Sequence, residues 1–106
     1  MWYVNGYNLQ MCEGDFGLEL PVTFSDVTLD SADEIKLTIK KTVNGTALIE
    51  KTFSNITENT INLVLTDAES ALLPVGSYVY ALDWYQDGQF LCNAIPIAAL
   101  KVVEKA

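Results

Sequence analysis

The chain has 106 residues, half of them apolar, which is enough for one hydrophobic core and too few for two ordinary domains. Its net charge is -8, every cation is a lysine, and there is neither Arg nor His. That argues against a nucleic-acid partner, whose counterions only a basic patch could release, and removes the usual proton shuttle at neutral pH. No run of about 18 apolar residues and no basic leader followed by an apolar stretch is present, so neither a membrane span nor a signal peptide is expected.

At the N-terminus, "MWYVNGYNLQ" places Trp2, Tyr3 and Tyr7 where a chain end is usually polar. Two readings stay open: a first strand tucked onto its own domain, or an aromatic interaction arm over residues 1–9 that packs on a neighbouring subunit. Next, Phe16, Leu18, Leu20, Val22 and Phe24 alternate with Gly17, Glu19, Pro21 and Thr23, the period of a half-buried strand. Pro21 cannot donate to a ladder, so this strand is expected at an edge or broken by a bulge.

Ile35, Leu37 and Ile39 alternate with Lys36, Thr38 and Lys40, and Ala47, Ile49 and Phe53 continue beyond "VNGT", whose Asn44-Gly45 predicts a tight hairpin. Ile61, Leu63 and Leu65 form another alternating run. "TDAESALL" then predicts a capped helical turn near residues 67–72. Tyr78 to Tyr85 and Phe90 to Ala94 flank a second turn dipeptide, Asp87-Gly88, and "AALKVVE" supplies a last strand. About seven or eight short strands, with no long helix, predict a single all-β domain over 1–106: an immunoglobulin-like antiparallel β-sandwich.

In "LLPVGSYVYALDW", Pro74 and Gly76 end the helical turn and reverse the chain, and Tyr78 is placed to return its hydroxyl to nearby backbone as a tyrosine corner. Tyr80, Leu82 and Trp84 share its parity and are expected to fill the core. Tyr85 has the opposite parity and is the better candidate for an exposed aromatic.

The usual catalytic sets are missing, and the chain is expected to be non-enzymatic. Asp33 and Glu34 are adjacent, so on a strand they point to opposite faces; Asp83 and Asp87 are the other carboxylate pair. Asp26, Asp30, Asp33 and Glu34 share one loop, but their spacing fits no EF-hand and these are ordinary turn residues, so no metal and no cofactor are expected. Asn44 and Asn55 begin glycosylation sequons that matter only in a eukaryotic secretory setting. Cys12 and Cys92 match no zinc spacing. They read either as two free thiols or, if their strands are neighbours in an oxidising compartment, as a disulfide.

Taken together, "EGDFGLELPVTF", "EIKLTIKKTVNGTALIEKTF" and "LPVGSYVYALDW" resemble the immunoglobulin-like N-terminal domain of phage baseplate upper proteins and related phage tail modules. The matching features are Gly14 and Asp15 before the first long strand, the strand Ile35 to Lys40, the corner Leu73 to Tyr80, and the turn at Asp87 and Gly88. This resemblance implies a structural component of a phage or prophage virion, tail or baseplate associated. Its partners would be other virion proteins and further copies of itself. Such a domain usually opens a longer protein, so a one-domain chain is expected to act as a small adaptor or accessory subunit. Contacts are expected from Trp2, Tyr3, Tyr7 and Tyr85. The alternative function is a bacterial surface or carbohydrate-binding sandwich module built around Tyr85.

Overall fold

The computed structural model describes residues 2–104, and these form an all-β sandwich. Eight strands are present among the described residues: β1 (Tyr3–Asn5), β2 (Asn8–Cys12), β3 (Leu20–Thr23), β4 (Asp33–Lys40), β5 (Ala47–Phe53), β6 (Thr60–Leu63), β7 (Gly76–Gln86) and β8 (Gln89–Val103). Six of them form one sheet in the order β1-β2-β8-β7-β4-β5, and β3 with β6 forms a second, two-stranded sheet. Between them lies a core of Ile35, Leu37, Ile39, Tyr80, Leu82 and Leu100 from the large sheet, facing Ile61 and Leu63 from the small one. Leu29, Ile56, Leu65 and Leu73 close its ends.

The large sheet is mixed, which corrects the purely antiparallel expectation. β2 pairs antiparallel with β1 but parallel with β8, from Leu9 opposite Leu100 to Cys12 opposite Val103. A parallel pair needs a long connection, and almost the whole chain intervenes between these two strands.

The nine-residue strand expected over Phe16 to Phe24 shortens to Leu20–Thr23. Gly17 adopts a φ of +73°, outside any strand conformation, and leaves Phe16 and Leu18 exposed. Pro21 does lie on an edge. Phe24 N–H donates to the Asn59 carbonyl, so the inward-pointing amides of β3 are those of Leu20, Val22 and Phe24, and the missing N–H of Pro21 faces the open side. Proline there blunts an edge that would otherwise template another strand.

The two turn dipeptides behave differently. Asp87 and Gly88 both have positive φ, 51° and 79°, between the paired Gln86 and Gln89, a two-residue type I′ hairpin. Asn44-Gly45 does not form the tight turn expected of it. The β4–β5 ladder closes at Lys40 and Ala47, leaving a six-residue loop in which Gly45 N–H donates to the Thr42 carbonyl and neither Asn44 nor Gly45 is left-handed. Glycine serves close approach here, since a Cβ would lie 2.9 Å from Thr42 Oγ1.

The segments Phe90 to Ala94 and Ala98 onward, read as separate strands, are one long bulged strand, β8. Its register against β7 shifts between Tyr80 and Leu82. Pro96 and Ile97 there stand opposite the single residue Ala81, a bulge that tolerates a proline. The helical turn is α1 (Asp67–Ser70), with a capping box: Glu69 N–H donates to Thr66 Oγ1, and Thr66 N–H donates to the Glu69 carboxylate. Lys51 Nζ reaches from β5 to the Val64 carbonyl (2.6 Å) and to Glu69 (2.8 Å), tying the two sheets along one side.

Candidate protein interface

Residues 1–9 were expected to be either a first strand or a free arm, and residues 3 to 12 form a hairpin continuous with the large sheet. Its turn is Gly6-Tyr7, with Gly6 at a φ of +62° in the first central position, as a type II′ turn requires. Three contacts hold it. Tyr80 donates its hydroxyl to the Tyr7 carbonyl, Ala99 N–H donates to Asn8 Oδ1 (3.2 Å), and Trp2 Nε1 donates to the Leu18 carbonyl (3.1 Å). Burial, with Tyr7 beside it, pushes the Tyr80 hydroxyl above the ordinary value of 10.0. It therefore stays a proton donor through neutral pH.

Trp2 is packed against its own core and forms a small hollow with Met11, Phe16 and Leu65. Tyr3 and Tyr7, in contrast, are 70% and 61% exposed. Register places Tyr3 on the outer face of the large sheet with Gln10, while Val4 pairs with Leu9 and points to the sandwich side. Beside the hairpin a groove of about 490 Å³ runs between Val4, Tyr7 and Leu9 on one wall and Leu20, Pro21 and Val22 on the other, with Ile95 at its base. Tyr7 thus joins this apolar groove at the open side of the sandwich, while Tyr3 stands on the other face of the hairpin.

Tyr85 lies about two strands away from the hairpin, on the outer face. Its ring meets Phe90 edge-on at 5.7 Å, and with Glu34, Lys36 and Thr52 it lines a shallow hollow of about 540 Å³. Tyr85 and the N-terminal aromatics are not brought together: β8, β2 and β1 all lie beyond β7 in the strand order.

Pro74, Gly76 and Tyr78 build the corner. Tyr78 donates to the Pro74 carbonyl at 2.5 Å, and Lys41 Nζ lies 4.6 Å from the centre of its ring. Burial first, and then the charge of Glu13, raise its pKa. A Cβ at Gly76 would come within 2.7 Å of Lys41 Nζ, the tip of a flexible side chain that would have to swing aside.

The acidic residues have structural duties. Asp33 is 1% exposed and accepts from Trp84 Nε1 (2.9 Å), Gln86 Nε2 (3.2 Å) and the Asp30 amide (2.9 Å). Asp30 in turn accepts from the Ala32 amide. Glu34 lies on the opposite face from Asp33, so this pair does not converge. Asp83 accepts from Asn93 Nδ2 at 2.6 Å, and Asp87 shapes its turn. No group of three or more potential metal ligands occurs among the described residues.

Cys12 and Cys92 are free. Cys12 neighbours Val103, and Cys92 lies eleven residues back along the same strand. At about 3.3 Å per residue this is roughly 36 Å along a straight strand, far beyond the ~7 Å Cα separation that a disulfide spans.

Two residues of the surface escaped the sequence reading. Val4 and the turn it precedes were signalled by the glycine of "VNGYN", flanked by short alternating runs. Tyr80 was assigned to the core, where it does lie, but the reach of its hydroxyl to Tyr7 depends on the parallel placement of β2, which no local pattern announces. No protein-family model, curated protein or solved structure matches the chain in comparison.

Proposed function

We propose that the protein is a non-enzymatic assembly module of a phage or prophage virion, tail or baseplate associated, working through contacts made by its N-terminal hairpin. The observation that carries this reading is the exposure of Tyr3 and Tyr7 on a hairpin held in place by Tyr80 and by the β2–β8 ladder. Exposed aromatics on a fixed support bring large contact area at low cost in side-chain entropy, as anchor residues of protein interfaces do. The order of sequence features from Gly14-Asp15 to Asp87-Gly88 supports the phage assignment, with synthesis in a bacterial cytoplasm and residence in the particle. The test is mass spectrometry of gradient-purified particles from an induced host. The chain is expected among the tail proteins, and Tyr3→Ser with Tyr7→Ser is expected to deplete it from particles while its soluble fold persists. Particles containing every other tail protein but not this chain would overturn the reading.

A second reading, a carbohydrate-binding module, has one observation in its favour: the Tyr85 ring beside Glu34, Lys36 and Thr52, an aromatic face with charged and hydroxyl groups around it. A glycan array showing no ligand lost on Tyr85→Ala would end it.

A further inference from the structure

The outer face of the large sheet carries a second surface, distinct from the hairpin groove. At its centre the β8 bulge opposite Ala81 turns Ile97 outward, 55% exposed. Ile97 and Val43 stand over a floor of Val79 and Ala81 and line an open groove. Thr38, Lys40, Asp83 and Asn93 complete its walls, so an apolar centre has a polar margin, the usual anatomy of a contact patch.

Charge selects the occupant. The outward positions of β4, β5, β7 and β8 carry Lys36, Lys40 and Lys101 against Glu34, Glu50 and Asp83, three of each sign. This face is therefore neutral, and the whole net charge of -8 lies on the rest of the chain. A strongly basic partner would be drawn to that remainder. Two copies of this chain repel through it and can approach only where the charge cancels. Lys36 and Glu50 pair within one copy at 3.4 Å, so no excess of either sign opposes a second copy of this face across a two-fold axis, the isologous arrangement of most homodimers. The four strands of this face, at a spacing of about 4.8 Å and over about eight residues each, give a flat area of about 500 Å² per partner. Two copies together then cover about 1,000 Å², the lower bound of a specific interface and the size of a weak, reversible one.

We infer that the protein forms a two-fold dimer through the outer face of its large sheet, with Ile97 of each copy entering the Val79–Ala81 groove of the other. The inference does not depend on the virion reading, and the two fail separately. Sedimentation equilibrium of the full chain from micromolar to millimolar concentration is expected to show a monomer–dimer equilibrium. Ile97→Lys and, separately, Ala81→Arg should each weaken association at least ~100-fold while circular dichroism and thermal unfolding of the monomer stay unchanged. Added salt should strengthen the dimer, because it screens the acidic remainders more than a neutral interface. A strict monomer at millimolar concentration overturns the inference. So does a dimer that survives Ile97→Lys, and a dimer abolished by Tyr3→Ser with Tyr7→Ser would move the contact to the hairpin. Steep weakening with salt would also count against it.

Discussion

The two faces of the large sheet share the same strands and differ in everything else. Along β4 and the middle of β7 the inward residues are sealed: Ile35, Leu37 and Ile39 beside Tyr78, Tyr80 and Leu82, with Asp33 the one buried charge of these two strands. Outward residues one position away alternate lysines, threonines and carboxylates with small apolar groups. The inner face sets the fold, and the outer face is left to vary with what it meets. A substitution's cost should therefore depend on parity more than on residue type.

The sharpest break of that rule would come at Leu82. It is fully buried at the middle of β7, and Leu82→Ala should cost about 3–5 kcal/mol, the lost transfer energy plus the cavity it leaves. Urea denaturation with an unchanged m-value is the measurement. A cost below 1 kcal/mol would mean that the inner face repacks freely.

Asp33→Ala comes next, at about 3 kcal/mol, because it strips acceptors from the Trp84 indole, the Gln86 amide and the Asp30 backbone. Trp84 also packs edge-on against Phe24, with ring centres 6.5 Å apart, so its fluorescence should shift to the red in the folded variant. An unshifted emission would show that Asp33 does not position the indole.

What could be read in the sequence follows the same division. Alternation was legible wherever one face is buried and the other wet, so β4, β5 and β7 were placed closely, and the Thr66 cap and Asp87-Gly88 turn announced themselves by local chemistry. What could not be read depended on contacts between distant segments. β3 shortens because Gly17 turns the chain, β8 runs through Pro96 because a bulge excuses it, and β2 joins the sheet in parallel, a pairing with no local signature. Asn44-Gly45 misled because the dipeptide permits a type I′ turn without enforcing one. The candidate surface was half legible: Tyr3 and Tyr7 stood out as aromatics, but only the fold separates them from Trp2, which is turned to the core.

Tyr80→Phe keeps the buried ring and removes the bond to Tyr7, for an expected loss of about 1 kcal/mol. The pH dependence has a definite sign. The folded pKa is raised above 10.0, so the stabilisation is complete below that value. It is lost as pH rises through the folded value, since the unfolded state ionises first. Tyr80→Phe should flatten that alkaline limb, and hydrogen exchange should show the β1–β2 hairpin opening more often.

The Lys51–Glu69 bridge acts at the opposite end of the pH scale. Burial raises the Glu69 carboxyl, but hydrogen bonds from Lys51 and from the Thr66 backbone, with the lysine's charge, outweigh it and hold the group below 4.5. A lowered folded pKa contributes stability above the unfolded value, and that contribution disappears as pH falls through the folded one. Both side chains are partly solvated, so Lys51→Met should cost only about 1 kcal/mol at pH 7 and reduce the acid dependence with it. An unchanged acid limb would place the titration elsewhere.

The smallest expected effect is the most informative about the outer face. Val79 pairs with Lys40 and Ala99 at the floor of the Ile97 groove, and Val79→Thr keeps its shape and β-branching while adding a hydroxyl. In a monomer the hydroxyl meets water, and the change should stay within about 0.5 kcal/mol. In a two-fold dimer the same hydroxyl enters a dry contact without a partner, so the cost should grow with protein concentration as the dimer contributes to the measured stability. Thermal melts of both proteins across a hundredfold concentration range separate the two cases. Parallel melting curves at every concentration would leave this face as solvated sheet, and a gap that widens with concentration would make it an inner face shared between two copies.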